Sequence, residues 1–437
     1  MIRSSPTLFV DFDRLSAVGR CICGRLAMRN QATQRLLGES KMNFMKGFSF
    51  ACMFGLLGSG ALAQSPSKYD PGASDTEIKI GQTYPYSGPL SSVAEIGITQ
   101  SAYITMINDR GGINGRKVTF ISLDDNYSPA KSIEQVRKLV EQDEVLAIFN
   151  PFGTPTATAT QKYLNSKKVP QLFAGTGSAR FNDPAFPWSS SVLPGYVTEG
   201  AILGKYVAEK IKTAKVAILY QNDDYGKDYA KGFKEAVASS PGIQIVKEAA
   251  YEVAEPTIDS QITQLAASEA DVLLNASSGR AAVQSIRTIS NLKWKPLHLL
   301  NGRWADIDAV FKPVGMEKAV GIISTQYVKS LYDSTWDADP TVIEYKEFMK
   351  KYRPGANPAS ALNVQGYLFA QLLHHILREA GNNLTRDNIN FVASNLRHLD
   401  FGLLLPGVKI NTSPTQKHLI VDQILTRFDG ERFMPIE

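Results

Sequence analysis

Twice along this chain a β-strand pattern gives way to a helical pattern and returns, and that alternation limits the fold more than any other feature. The first run has apolar, strand-length segments at 78–83, 118–123, 145–150 and 171–173. Between them lie helix-period patterns at about 94–109, 129–142 and 156–165. A second run starts with strands at 216–221, 244–250, 272–275 and 297–300, joined by helices at about 225–238, 257–268 and 281–292. Strand, helix, strand repeated in this way builds parallel sheets with helices on both faces. Each run is too short to be one giant sheet. A Pro-, Ser- and Gly-rich stretch, 186–195 (FPWSSSVLPG), separates the two and reads as a crossing segment. The expectation is an α/β chain of two Rossmann-like, doubly wound lobes. After a strand-like 322–328 the pattern turns mostly helical (340–352, 359–380, 385–396) and closes with a strand-like 420–428.

The N-terminus has a different grammar. Lys46 precedes an apolar run from Phe48 to Leu57, and small residues follow up to Ala61-Leu62-Ala63. That order predicts a secretory signal peptide over 42–63, cleaved after Ala63. A membrane span needs roughly 20 apolar residues, and this run is much shorter. Residues 1–41 carry six arginines and Lys41 with little apolar period. They read as a non-native upstream extension, with synthesis starting at Met42 or Met45. All three cysteines (Cys21, Cys23, Cys52) precede Ala63, so the remainder is expected to hold neither a disulfide nor a thiolate nucleophile. Residues 1–63 also hold 8 of the 47 basic and 3 of the 42 acidic residues, which leaves 39 of each. A net charge of zero removes the electrostatic footprint that nucleic-acid binding requires.

In open parallel sheets ligands bind outside the carboxyl ends of the strands, so the residues just past each strand carry the most information. Four such turns stand out: Pro151-Phe152-Gly153-Thr154-Pro155, Ala174-Gly175-Thr176-Gly177-Ser178, Asn222-Asp223-Asp224-Tyr225-Gly226 and Ala276-Ser277-Ser278-Gly279. They offer hydroxyls, an aromatic ring and free N–H groups at helix starts, which suit an anionic group such as a carboxylate. Thr154 is expected to cap a helix, with Pro155 in its first turn. Each turn alone also fits an ordinary strand-to-helix connection; four in register at one edge predict a cleft. The pairs Asp124-Asp125 and Asp223-Asp224 read as turn caps rather than an acid–base pair.

Catalytic signals are weak. The five histidines lack metal-ligand spacing, and the adjacent His374 and His375 face different directions on a helix. A phosphate loop, a dinucleotide glycine pattern and a nucleophile elbow are all missing beyond residue 63. The expectation is a non-enzymatic protein without a metal or other cofactor.

Four stretches then carry a family resemblance: 78–90 (IKIGQTYPYSGPL), 107–117 (INDRGGINGRK), the strand ending in Asp124-Asp125, and 217–232 (AILYQNDDYGKDYAKG). From about Thr76 to Phe428 the chain resembles the leucine/isoleucine/valine-binding group of periplasmic receptors for ABC transporters, the type I periplasmic binding proteins. The resemblance implies two lobes joined by a three-segment hinge, which close on a ligand by hinge motion. The lobes it implies are 75–196 with 328–412, and 197–327 with 413–437. It further implies a periplasmic location, a small-molecule ligand, a permease partner in the inner membrane and a monomeric receptor. The turns at Phe152–Thr154 and at Gly175, Thr176, Gly177 and Ser178 would hold a ligand carboxylate. Tyr225 would close over it, with Ser277 nearby.

Two departures bear on the ligand. Amino-acid-binding members pair the ligand ammonium with an acidic residue after the strand at 297–300, where this chain reads Asn301-Gly302-Arg303-Trp304. A tyrosine expected after the Ser-Gly-Pro turn is replaced by Ser91-Ser92-Val93. An ammonium buried without a counter-charge is costly. Arg303 instead suggests a second contact to an anion, or a salt bridge within the wall. Tyr84, Tyr86, Phe152, Tyr225 and Trp304 suggest a flat or apolar body. The ligand is therefore expected to be a small organic carboxylate without an amino group, such as an aromatic acid; an amino acid or small amide is the alternative, and a periplasmic enzyme the third. The candidate ligand contacts are Tyr86, Ser92, Phe152, Thr154, Gly175–Ser178, Tyr225, Ser277 and Arg303.

Overall fold

The computed structural model describes residues 68–436; the extension at 1–41, the signal segment at 42–63 and all three cysteines lie outside the described residues. Two sheets organise the rest. The first holds β1 (Glu77–Tyr84), β2 (Lys117–Asp124), β3 (Ala147–Phe149), β4 (Gln171–Ala174) and β5 (Ser189–Ser191), in the order β2-β1-β3-β4-β5, all parallel. The second holds β6 (Ala214–Gln221), β7 (Ile243–Tyr251), β8 (Val272–Ala276), β9 (Leu297–Leu300), β10 (Ile323–Gln326), β11 (Ile424–Phe428) and β12 (Phe433–Pro435). Its order is β12-β11-β10-β9-β8-β6-β7, parallel from β7 to β10 and antiparallel at β11 and β12. Both orders reverse direction near the middle, which opens a crevice at the carboxyl ends of the strands.

The helices α1 (Ala94–Asp109), α2 (Pro129–Glu141), α3 (Thr154–Ser166), α5 (Asp224–Val237), α6 (Asp259–Ala266) and α7 (Gly279–Asn291) fall close to their sequence positions. Local chemistry explains their starts. Ser128 caps α2 by accepting from the Lys131 N–H, with Pro129 at the first position. Asp223 caps α5 through the Tyr225 and Gly226 N–H groups. The expected capping by Thr154 is not found: Gly153 occupies the cap position, and Thr154 makes no cap bond.

The sequence pattern missed α4 (Tyr196–Lys210), which follows directly on the expected crossing segment. That segment also contains β5, which pairs with β4. Helix α4 packs on α5 through reciprocal glycines. A Cβ on Gly232 would stand 1.9 Å from the Val197 carbonyl oxygen, and one on Gly200 2.3 Å from that of Tyr229. The small residues let two backbones touch, and Glu199, Gly200 and Gly204 interrupt the apolar face that Tyr196, Leu203 and Val207 form, which weakens the pattern.

After β10 the chain returns to the first lobe. Helices α8 (Pro340–Tyr352) and α9 (Ala361–Ala380) form there, α9 is buried along most of its length, and both pack on α1. The short α10 (Arg386–Ala393) follows, and an irregular stretch leads back to β11. Thr99 Oγ1 donates to Asn363 Oδ1 at 2.7 Å within the α1–α9 contact. Among the described residues no helix is long and apolar enough to cross a membrane.

Candidate ligand-binding site

The first lobe delivers its share of the crevice from the ends of β3 and β4. Asn150, just past β3, has φ 47°, and its amide bonds the Phe173 carbonyl oxygen at 2.7 Å and Gln100 at 2.8 Å. Asparagine tolerates this left-handed backbone; Phe173, at φ 55°, does so at a strain cost. The two bends bring Phe152–Thr154 and Gly175–Ser178 side by side, with Phe152 and Gly175 in a parallel bridge. Thr154 Oγ1 and Thr176 Oγ1 lie 2.7 Å apart, both fully buried. Gly177 is required by close approach, since a Cβ there would stand 1.9 Å from the Pro194 carbonyl oxygen.

The second lobe answers with the ends of β6, β8 and β9. Tyr225 is 4% exposed; its hydroxyl donates to the Ser277 carbonyl oxygen at 3.1 Å, and its ring meets Tyr196 edge-on at 5.0 Å. Ser277 turns its hydroxyl to Asn275. Arg303 follows β9 and is 7% exposed. Its guanidinium carbon lies 5.4 Å from the Phe152 ring centre and 5.2 Å from that of Trp304, so it bridges the lobes. Arg303 Nη2 has no hydrogen-bond partner. Among the described residues no carboxylate reaches ion-pair distance of it. The salt bridge within the wall is thereby removed as a reading. Asp306, the next acid along the chain, accepts from the Ala309 N–H instead, and burial raises its pKa.

Other contacts join the lobes around this centre. The Ala179 N–H donates to Asp228 Oδ2 at 2.9 Å, and Leu90 packs against Gly279. Tyr127 reaches across from the first lobe toward Gln221 and Asp223. Burial pushes the phenols of Tyr84, Tyr127 and Tyr225 well above their usual range and that of Tyr196 to about 12, so all are neutral donors at neutral pH.

Nine of the expected contacts therefore converge: Phe152, Thr154, Gly175–Ser178, Tyr225, Ser277 and Arg303. Two do not. Tyr86 is half-buried at the sheet edge, its hydroxyl on Ser122 and against Gly97 of α1; Tyr84 takes its place, 5.4 Å from Phe152. Ser92 is exposed and borders a surface cleft with Glu95, Asp308 and Asn357. Both lie beyond the end of β1, where the chain bends: Tyr86 turns to Ser122, and Ser92 sits in a short 3-10 turn at the surface. The sequence reading also missed Tyr196, Glu199, Tyr327 and Gln423, which line a narrow space beside Arg303. The free space at its centre is about that of one water, so an aromatic ring does not fit with the lobes as they stand. The aspartate pairs do cap turns: Asp124 accepts from Ser87 and the Asn126 N–H, and Asp125 from the Tyr127 N–H and Ser132. Among the described residues there is no cluster of three or more side chains able to hold a metal.

Comparisons with known proteins agree with this architecture. The periplasmic binding protein family model matches residues 77–431. An amino acid binding protein of Pseudomonas aeruginosa is 25% identical over 314 residues, 70% of this chain and 80% of that one. The Leu/Ile/Val-binding protein homolog 7 of Brucella abortus is 24% identical over 318 residues, covering 69% and 77%. Among solved structures, a branched chain amino acid ABC transporter protein from Thermus thermophilus with bound valine aligns with a TM-score of 0.74 at 17% identity, over 84% of this chain and 96% of that one. A fatty acid ABC transporter substrate-binding protein from Thermomonospora curvata aligns with a TM-score of 0.72 at 20% identity, over 84% and 94%. With two doubly wound lobes, a crevice at their strand ends and a family match across nearly all of the described residues, the chain belongs to the periplasmic binding proteins, solute receptors of the kind typified by the leucine/isoleucine/valine-binding group.

Proposed function

We propose that the chain is the solute-binding receptor of an ABC importer and that its solute is a small organic carboxylate lacking an ammonium group. The lobes proposed to close on it are 75–196 with 328–412 and 197–327 with 413–437. The observation that carries the ligand class is Arg303: a guanidinium 7% exposed, held between two aromatic rings, with an unpartnered Nη2. A buried cation without a counter-charge is costly, and an anionic solute supplies that charge. The proposed ligand contacts from the first lobe are the Thr154 and Thr176 hydroxyls and the turn at Gly175–Ser178. Phe152, Tyr225 and Ser277 complete the proposed set. The rings of Tyr84, Phe152 and Trp304 favour an apolar or aromatic body, which enters once the lobes separate. In this reading closure hides the solute from water, and a membrane permease reads the closed form. The protein acts as a periplasmic monomer and performs no chemistry on its cargo.

A second reading, an amino acid, draws support from Glu199. Its carboxylate borders the same space as Arg303, where it could accept an ammonium. The names of the Pseudomonas and Brucella relatives point the same way. The test is a thermal-shift and calorimetric screen of residues 64–437 against amino acids, aliphatic acids and aromatic acids, since ligand binding raises the apparent stability of the native state by mass action. Shifts with acids that lack an ammonium support the first reading. Shifts with amino acids alone overturn it in favour of the second.

A further inference from the structure

The floor of the crevice, where the chain passes between the lobes, carries an arrangement that a single carboxylate contact leaves unexplained. A narrow space there, with room for about one water, is bordered by Glu199, Tyr229, Arg303, Thr325, Tyr327 and Gln423. Three residues on its wall each carry a donor with no protein partner: Nη2 of Arg303, the hydroxyl of Tyr327 and Nε2 of Gln423. They come from three separate segments, namely the loop after β9, the crossing after β10 and the approach to β11. Arg303 and Tyr327 are each 7% exposed.

The donor character of each group follows from its surroundings. Gln423 Oε1 accepts from Thr325 Oγ1 at 2.6 Å, which leaves Nε2 as the free end of the amide. Burial holds the Tyr327 phenol far above its usual range, so it keeps its proton. The acid on this wall is already engaged: Glu199 accepts from the Gly302 N–H through Oε1 and from the Tyr229 hydroxyl through Oε2, and burial raises its pKa.

Buried donors without acceptors are rare, and three on one small space are rarer still. A water molecule has two lone pairs and cannot accept from all three; a carboxylate oxygen pair or a halide can. We propose that this floor is a second anion subsite, so that the preferred solute bears two acceptor groups, one for the Thr154–Thr176 side and one for Arg303, Tyr327 and Gln423. The proposal rests on the reading of the ligand as an organic acid. Arg303 has five N–H donors and serves both ends. With the lobes as they stand the centre admits a halide and no ring; a carboxylate with both oxygens enters once the lobes separate.

The experiment compares matched acids by calorimetry on the wild type and on a Tyr327→Phe, Gln423→Leu double variant, which removes two of the three donors and keeps Arg303. The pairs are butyrate against succinate and benzoate against phthalate; sodium chloride alone is the third arm. The expected result is at least ten-fold tighter binding of one diacid over its monoacid, lost in the double variant. A thermal shift with chloride alone, also lost in the double variant, supports the same subsite with a free halide as its occupant. Should the double variant not fold, Tyr327→Phe alone is expected to lose at least three-fold for the diacid. Equal affinity for monoacids and diacids together with no chloride response overturns the subsite and leaves the organic-acid reading standing. Binding of amino acids alone overturns that reading first.

Discussion

Replacing Arg303 with methionine separates a binding residue from a structural one, because the two roles predict opposite changes. The methionine keeps much of the volume between Phe152 and Trp304 while removing the charge. Burying a guanidinium costs several kcal/mol after relaxation. The two rings, at 5.4 and 5.2 Å from the guanidinium carbon, return about 1–2 kcal/mol each. The unpartnered Nη2 adds a further cost of about 1–3 kcal/mol. The costs match or exceed the return, so without ligand the variant is expected to melt within about 3 °C of the wild type, or above it. Acid binding behaves differently. Removing one member of a buried, hydrogen-bonded charge pair costs about 2–5 kcal/mol, a loss of roughly 30-fold to several thousand-fold in affinity. Arg303→Lys falls between, since it keeps the charge and loses the planar donor fork. The assay pairs a thermal melt without ligand with calorimetry on whichever acid shifts the wild type. A variant that melts more than about 6 °C lower yet binds the acid within three-fold of wild type would show that Arg303 props the wall, and the reasoning would fail.

Tyr225→Phe removes only the bond to the Ser277 carbonyl and is expected to cost about 1 kcal/mol in a denaturant titration. Tyr225→Ala also forfeits the packing on Tyr196 and Tyr229 and is expected to cost about 3–5 kcal/mol, so its effect on binding cannot be read without the Phe variant beside it. Thr154→Val leaves the volume and removes the hydroxyl paired with Thr176, at a cost of about 1 kcal/mol in stability; a several-fold loss of acid affinity is expected from calorimetry, and an unchanged affinity would exclude Thr154 from the cradle. His418, bonded to Ser191 where the chain crosses between lobes, is held by burial at a pKa of about 4 against an ordinary 6.5. The unfolded chain therefore takes up this proton first, and stability falls as pH drops from about 6.5 toward 4, by up to about 3 kcal/mol, with no contribution above that window. His418→Gln is expected to lose less stability than the wild type between pH 7 and pH 4.5; an equal loss would mean that His418 is already charged in the native state.

The strand-end turns of the candidate site were legible in the sequence, and the residues between the turns were not. Thr154, Gly175–Ser178, Tyr225 and Arg303 follow strands whose apolar runs mark their ends, so the turn chemistry could be read directly. Tyr86 and Ser92 stand apart from the other nine because the chain bends after β1, and no periodicity marks the direction a side chain takes in such a bend. Tyr196, Glu199, Tyr327 and Gln423 left no local signal. Tyr196 and Glu199 sit on the helix that the pattern missed, and Tyr327 and Gln423 lie on hinge segments nearly a hundred residues apart. Their significance is only that they face one another.

The sequence by itself determined the class of fold, two doubly wound lobes with their turns at one edge, because strand and helix periods and turn preferences are local properties of the chain. It also determined the charge types offered at that edge, including an arginine where an acid was expected. Which side chains meet, and which donors are left without acceptors, was decided only by the tertiary structure. Pairing across a crevice depends on how the lobes approach and on the direction of each bend, and no periodicity along the chain encodes a contact between residues brought together by three separate crossings.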